Sequence, residues 1–577
     1  MNSHLKWSSH LFRSLYEKGV RHMVLSPGSR STPLAMAAAI HKGFQKHVVI
    51  DERSAGFMAL GIGKATGTPA VLICTSGTAG ANYMPAVIEA RQSGVPLIVL
   101  TADRPPILRG IGSSQTIDQI KLFGDQAIFF HEAGEPSGGA ADLKRLSWLA
   151  RQAVEESIRA GGAAHINLPF RKPLEPEMDD IKTEMTLNSR HPERKSDTNT
   201  DSDSDSVRRT LHLPETVNRL IQKAERPLIV AGPANPHHAL RNTFQKVIHT
   251  LSAPVLMEPG ASLQADESLT VNRFEQILRN PEHLESLQPD LIIRFGDQPF
   301  TKSLLSAFDA WGTEGIPVIH FVSRIQPQDQ SMSSSFSIFC TPDDQIELPS
   351  GPYSAGNTEM NWLEKWKEID KTAKNELERT MSDPKKLSDG HVIRFISNKL
   401  RSEWNVMLSN SFIPRDMALF GRPDPHQFVN RGAAGIDGIL STALGIHLAS
   451  DRPTACIAGD IACLHDSNAL LSLRDLKRPF VIIIVNNEGG NIFRMLPVSR
   501  YSDYYTEYFE TPQNVQFERL AQAHGLTYKF VDTPDALLSL DLQKAPKGAL
   551  IIECKTDPDA SMDIRQRLWN FGSLPDK

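Results

Sequence analysis

Two short stretches near the C-terminus carry oxygen ligands at a separation that could hold a cation and a phosphate. An apolar run, Ala455–Ala458, ends in Gly459-Asp460, and a second, Phe480–Val485, ends in Asn486-Asn487 followed by Glu488-Gly489-Gly490. The separation of Asp460 from Asn487 is about the length of a strand–helix–strand crossover. It places both side chains at the carboxyl edge of a parallel sheet, where open α/β sheets bind ligands. One carboxylate, one amide oxygen and one backbone carbonyl, offered by Gly489, suit Mg²⁺ and leave positions for water and phosphate. Gly459 lets a diphosphate approach the backbone closely. A dinucleotide site would need GxGxxG opening a helix after the first strand, and that pattern is not found.

These residues need a scaffold, and the pattern along the chain supplies one. The first third alternates apolar runs (His22–Ser26, His47–Asp51, Ala70–Thr75, Leu97–Ala102, His165–Leu168) with helical stretches such as Phe57–Thr66 and Asn82–Ser93. A second series has strands at Pro227–Ala231, Pro254–Met257, Leu291–Phe295 and Val318–Val322. A third has Ala455–Ala458, Val481–Asn486 and Gly548–Glu553, with a helix-like segment at His465–Leu476. Alternation of this kind predicts an α/β protein with three domains, each a central, mostly parallel sheet flanked by helices. The expected division is 1–187, a linker at 188–209, a middle domain at 210–350, a connector at 351–384 and a last domain at 385–577. Within the linker, Arg190–Ser206 holds no residue that could build a core and reads as exposed or disordered.

Hydrophobic residues make up 40% and charged residues 22% of the 577-residue chain, as in folded soluble proteins. The net charge of -5 argues against nucleic acid or an anionic membrane as partner. Phe480–Val485 is far too short to span a bilayer. The N-terminus reads as an amphipathic helix without the apolar core of a signal peptide. The five cysteines show no CxxC spacing and fit buried, reduced thiols, which points to the cytoplasm.

The Gly459-Asp460 and Asn486-Asn487 pair resembles the cofactor motif of the thiamine-diphosphate enzymes. The resemblance implies that Asp460, Asn487 and the Gly489 carbonyl bind Mg²⁺ or Mn²⁺, with Gly459 and Ile461 beside the cofactor. It also implies a pyrimidine-binding, middle and diphosphate-binding order for the three blocks. Glu52, which follows the run His47–Asp51, matches the glutamate that hydrogen-bonds the cofactor's pyrimidine ring and is catalytic in the family. Ile436 matches the bulky apolar residue under the cofactor, and Ile492, Phe493 and Leu496 match residues lining the pocket.

The segments Ser26–Leu34, Thr75–Asn82, Thr101–Pro106 and Asn430–Gly438 narrow the resemblance to the decarboxylating synthases of menaquinone biosynthesis, which join 2-oxoglutarate to isochorismate. Both substrates are dicarboxylates, and arginine suits planar carboxylates. The candidate cations are Arg30, Lys302, Arg415 and Arg431, of which Arg30 and Arg431 sit in loops matching the family motif, with Ser29, Gln115 and Ser411 as candidate polar contacts. Two departures stand out: Ser303 follows Lys302 where some relatives carry arginine, and the stretch Ser252–Leu263 contains an unusual Met257-Glu258-Pro259-Gly260. Family members share each cofactor between subunits, so a homodimer or homotetramer is expected. An acetolactate-type synthase, another 2-oxo acid decarboxylase and a non-catalytic homologue are the competing readings.

Overall fold

The computed structural model describes residues 3–189, 209–234, 240–324, 328–341, 344–349, 361–382, 384–400 and 402–572. The Arg190–Ser206 linker and residues 351–360 of the connector lie outside them. Residues 362–381 of the connector form a helix, Trp362–Met381, started by an Asn361/Glu364 capping box.

Three parallel sheets carry the chain. The first holds β1 (His22–Leu25), β2 (Gln45–Val48), β3 (Ala70–Cys74), β4 (Leu97–Asp103), β5 (Ala127–Glu132) and β6 (Ala163–Pro169), in the order β2-β1-β3-β4-β6-β5. A short pair joins β7 (Arg209–His212) to β13 (Asp344–Glu347). The middle sheet contains β8 (Pro227–Ala231), β9 (Val255–Met257), β10 (Leu291–Phe295), β11 (Val318–Val322) and β12 (Phe336–Phe339), in the order β12-β11-β10-β8-β9. The last has β14 (Asn405–Leu408), β15 (Gln427–Val429), β16 (Thr454–Gly459), β17 (Pro479–Asn486), β18 (Thr527–Val531) and β19 (Gly548–Lys555), in the order β15-β14-β16-β17-β19-β18. Renumbered from its own start, the last sheet repeats the strand order of the first. Strands β3, β4, β8, β10 and β11 are buried along their whole length, as expected for parallel sheets covered on both faces.

The described residues form two compact units. One combines the N-terminal block with residues 430–451 and 465–472; the other holds the middle sheet and the last sheet. Inside the first unit the helix Glu52–Thr66 packs on the helix Ile439–Leu448 at two glycines. A β-carbon on Gly61 would overlap the Thr442 carbonyl, and one on Gly445 would overlap the Met58 carbonyl.

Several element boundaries differ from the sequence reading, and two of the differences bear on the site. The strand expected at His47–Asp51 is β2, which begins two residues earlier and ends three earlier, because it pairs with β1 from His22↔Gln45 to Leu25↔Val48. Asp51 is then freed to cap the helix Glu52–Thr66, accepting from Arg53 N at 2.8 Å. The helix expected over His465–Leu476 is instead an α-helix, Asp460–His465, followed by a 3₁₀ turn, Ser467–Ser472. The break falls at Asp466, whose buried carboxylate turns to accept from Ser441 N at 2.7 Å and Ser441 Oγ at 3.0 Å, in the first turn of the helix Ile439–Leu448. The five cysteines are free and buried. No helix of the described residues is long and apolar enough to cross a membrane.

Candidate active site

In the second unit, β16 and β17 lie side by side with Gly459 opposite Val485, so Asp460 and Asn487 leave adjacent strands at the same sheet edge. Asp460 is 5% exposed. Burial pushes its carboxyl up to about 7; backbone N–H groups of Ile461 and Gly489 oppose that rise, and Asp389 adds to it. Among the described residues no lysine or arginine pairs with it.

Asn487 is held through both ends of its amide. Its Nδ2 donates to Asp389 Oδ2 at 3.1 Å, while Asn491 Nδ2 donates to the Asn487 carbonyl at 2.6 Å and to its Oδ1 at 3.2 Å. Gly489 has φ +128°, and a β-carbon there would overlap the Glu510 carbonyl; the turn admits only glycine. Its carbonyl accepts from Asn491 N at 2.9 Å and keeps a second lone pair.

No cluster of three or more His, Cys, Asp or Glu among the described residues is arranged for a metal. A cation at this edge would therefore use the mixed donors Asp460, Asn487 and Gly489. The set fits a hard divalent ion: the donors are all oxygens, and Asp460 is a buried anion that lacks a cationic partner. Ile461, Ile492 and Phe493 are half-buried, and Leu496 is exposed.

Behind Asn487 lies a charged cluster that sequence reasoning missed. Asp389 also accepts from Thr556 Oγ1 at 2.6 Å and from Arg565 Nη2 at 2.6 Å. Arg565 forks onto Asp416 at 2.5 and 2.8 Å and lies 3.8 Å over the Phe412 ring. Asp389, Asp416 and Arg565 sit far apart in sequence with no shared motif, so nothing in the sequence marked them.

Lys302 and Arg415, also in the second unit, line one small cavity with Glu275, Arg279, Met495 and Trp569. Arg415 donates from Nη1 to the Ser411 carbonyl at 2.5 Å. Ser411 has φ +69°, a strained backbone for a residue with a side chain. Burial lowers the Arg415 pKa, opposed by Glu258, Glu275 and Asp416. Those carboxylates have other partners: Asp416 binds Arg565, Glu275 binds Arg279 at 2.6 Å, and Glu258 binds backbone N–H groups at 2.8 Å. Among the described residues, none forms an ion pair with Arg415.

The first unit collects the N-terminal candidates. Arg30 follows β1 and is 4% exposed. Its Nη1 donates to the Phe170 carbonyl at 2.7 Å, and its Nε has no partner. Burial lowers its pKa, Arg104 lowers it further and Asp103 opposes both. Its backbone N donates to Thr75 Oγ1 at 3.2 Å, joining the ends of β1 and β3. Ser29 is exposed. Gln115, also exposed with φ +55°, donates from Nε2 to the Ser76 carbonyl at 3.1 Å and accepts from Ser76 Oγ through its own carbonyl at 3.0 Å.

Glu52 is half-buried at the first turn of its helix. Its charge reaches inward to Cys74 and Tyr83, whose pKa values burial pushes up and Glu52 raises further. Neighbouring residues brace this turn: Asn468 Nδ2 donates to Asp51 Oδ2 at 2.6 Å, and Arg53 Nη2 donates to the His465 carbonyl at 2.7 Å. Arg431 and Ile436 are half-buried in the loop after β15. Glu89, unmarked in the sequence, pins that loop by accepting from Gly432 N at 3.1 Å and Ala433 N at 2.7 Å.

The repeated strand order puts the candidates at matching strand ends. Arg30 follows β1 as Ser411 and Arg415 follow β14, and Glu52 follows β2 as Arg431 follows β15.

Known proteins match along nearly the whole chain. Residues 5–122 match the thiamine pyrophosphate enzyme N-terminal TPP binding domain, and residues 415–554 match the C-terminal TPP binding domain. A 2-succinyl-5-enolpyruvyl-6-hydroxy-3-cyclohexene-1-carboxylate synthase of Bacillus velezensis is 35% identical over 95% of this chain and 94% of its own length. Proteins of the same name from Gloeothece citriformis and Halorubrum lacusprofundi are 33% and 32% identical, covering 96% and 98% of this chain and 96% and 97% of their own lengths.

Proposed function

We propose, from the premise that this chain belongs to the 2-succinyl-5-enolpyruvyl-6-hydroxy-3-cyclohexene-1-carboxylate synthases of the thiamine pyrophosphate enzymes, that it decarboxylates 2-oxoglutarate and joins the remaining carbanion to isochorismate in menaquinone biosynthesis. The products are CO₂ and the compound for which its relatives are named. The observation that carries the substrate class is the pair of guanidinium groups at matching strand ends, Arg30 and Arg415, neither ion-paired to a carboxylate among the described residues. Desolvated cations of this kind await acidic groups from a ligand.

Thiamine diphosphate, when bound, supplies the acidic carbon and the electron sink that decarboxylation of a 2-oxo acid needs. Asp460, Asn487 and the Gly489 carbonyl would hold Mg²⁺ or Mn²⁺, and Gly459 and Ile461 would flank the cofactor. Glu52 holds a proton at the pyrimidine ring. Arg30, Lys302, Arg415 and Arg431 bind substrate carboxylates, assisted by Ser29, Gln115 and Ser411. Ile436 would support the cofactor from below, and Ile492, Phe493 and Leu496 would line the pocket.

In this reading residues 1–187 bind the pyrimidine, 210–350 form the middle domain and 385–577 bind the diphosphate. The enzyme works in the cytoplasm as a homodimer or homotetramer that completes each site with a second copy. Val48 and Ile50, 69% and 73% exposed just before Glu52, support that arrangement.

The test mixes purified protein with thiamine diphosphate, Mg²⁺, 2-oxoglutarate and isochorismate, and follows isochorismate absorbance together with CO₂. Turnover that needs all four components establishes the reaction. CO₂ release with isochorismate untouched moves the acceptor elsewhere, and no turnover despite cofactor binding overturns the proposal.

A further inference from the structure

Outside the residues assigned above, one buried acid has no place in the reaction. Glu258, in the unusual Met257-Glu258-Pro259-Gly260 stretch, follows β9 and is 0% exposed. Its backbone is fixed by a hydrogen bond from its N to the Ala231 carbonyl at 2.9 Å. Its carboxylate accepts from Phe300 N and Thr301 N, each at 2.8 Å, and from Thr301 Oγ1 at 2.5 Å. Thr301 is the N-cap of the helix Lys302–Thr313, yet its hydroxyl caps nothing in that helix; it is given to Glu258 instead. On the other side of Lys302, Ser303 donates its hydroxyl to Glu275. Both neighbours of Lys302 are therefore tied to buried carboxylates, while the Lys302 side chain is exposed beside Arg415.

A cap alone does not account for a buried charge. Serine or asparagine caps a helix as well as an acid does, without the cost of desolvating an anion that has no ion-pair partner among the described residues. Burial pushes the Glu258 carboxyl up to about 7, against the pull of the Thr301 hydroxyl and the Phe300 and Thr301 N–H groups, and of the acids near Arg415 it is the foremost in favouring the charged guanidinium.

We propose that Glu258 is a positioning residue, fixing Phe300 and Thr301 so that Lys302 meets a substrate carboxylate beside Arg415. This rests on the reading of Lys302 as a substrate-binding residue. Glutamine has nearly the shape of glutamate but turns an NH₂ toward a backbone N–H, leaving a donor facing a donor.

The test is a double-mutant cycle on the full-length enzyme with Glu258→Gln, Lys302→Ala and both together, read as kcat, the KM for each acid and the affinity for thiamine diphosphate. Lys302→Ala identifies which acid Lys302 binds. Glu258→Gln is expected to raise the KM for that same acid about tenfold, the scale of one lost hydrogen bond to a charge. It should leave kcat within about threefold and cofactor affinity unchanged, and add nothing in the Lys302→Ala background. If Glu258→Gln does not fold, Thr301→Val removes one arm of the contact and takes its place in the cycle. An unchanged KM, or a full additional effect in the Lys302→Ala background, overturns the proposal alone. A Lys302→Ala enzyme with both KM values intact overturns the reading of Lys302 and the proposal with it.

Discussion

The side-chain amide of Asn487 donates to Oδ2 of Asp389 at 3.1 Å, and Arg565 donates to that same oxygen at 2.6 Å. Asp389 thus fixes which way the Asn487 amide faces and is itself anchored from behind. Groups that orient a metal ligand typically cost 10- to 100-fold in metal affinity when removed. Asp389→Asn should therefore weaken Mn²⁺ binding by about that factor in a calorimetric titration with thiamine diphosphate present. An affinity equal to that of the unmodified protein would sink the assignment of Asn487 as a ligand.

Removing the divalent ion should also lower thermal stability, because Asp460 then stays buried without a counter-charge. Chelator-treated protein with thiamine diphosphate should melt below the Mg²⁺-loaded form, and the gap should close in an Asp460→Asn variant. A gap that persists in the variant places the ion elsewhere.

Glu52 stands at the first turn of a helix braced by Asn468 and Arg53, so a change confined to its carboxyl should leave the turn intact. Glu52→Gln is expected to lower the rate of CO₂ release about 10²- to 10⁴-fold, the range for loss of an acid–base group, with the melting temperature held. A drop below tenfold would remove Glu52 from the chemistry.

Arg30 sets function against stability. Its guanidinium is buried with Nε unpartnered, so Arg30→Met should leave the melting temperature unchanged or raise it, since an apolar side chain of similar length avoids the desolvation cost. The same variant should raise the KM for one of the acid substrates at least about tenfold. A variant that loses stability while keeping its KM would make Arg30 a structural residue.

Asp466 gives a pH signature. Burial pushes its carboxyl up to about 7, against the pull of the Ser441 N–H and hydroxyl. The folded protein keeps a proton there that the unfolded chain releases near its ordinary value of 3.8. The stability this group contributes is therefore complete at low pH and is lost as pH climbs toward 7. Asp466→Asn stays neutral and can keep both bonds to Ser441, so its melting-temperature advantage should grow from about pH 5 to about pH 7 and level off above. An advantage independent of pH would mean that Asp466 does not titrate in this range.

Local pattern by itself determined the α/β class, most strand positions in the first two blocks and half of those in the third, and the placement of Asp460 and Asn487 at one sheet edge. Those features follow from apolar runs of strand length and from the length of one crossover, which are written within a few dozen residues. The segments around Arg30, Glu52 and Arg431 stood out because they resemble the family's motifs, and Arg415 only as a candidate cation on the same resemblance. Other features were decided only by tertiary structure. Asp51 ends β2 early because strand pairing with β1 sets the register and frees Asp51 to cap. Asp466 interrupts the helix expected at His465–Leu476 because Ser441, in another segment, claims its carboxylate. Asp389, Arg565, Glu89 and Glu258 act on groups far away in the chain, through hydrogen bonds that leave no periodicity and no spacing to read. The matching strand order of the first and last sheets is of the same kind. Strand order is set by which edges meet once the chain has folded, and two sequences with little visible repeat can satisfy it equally well.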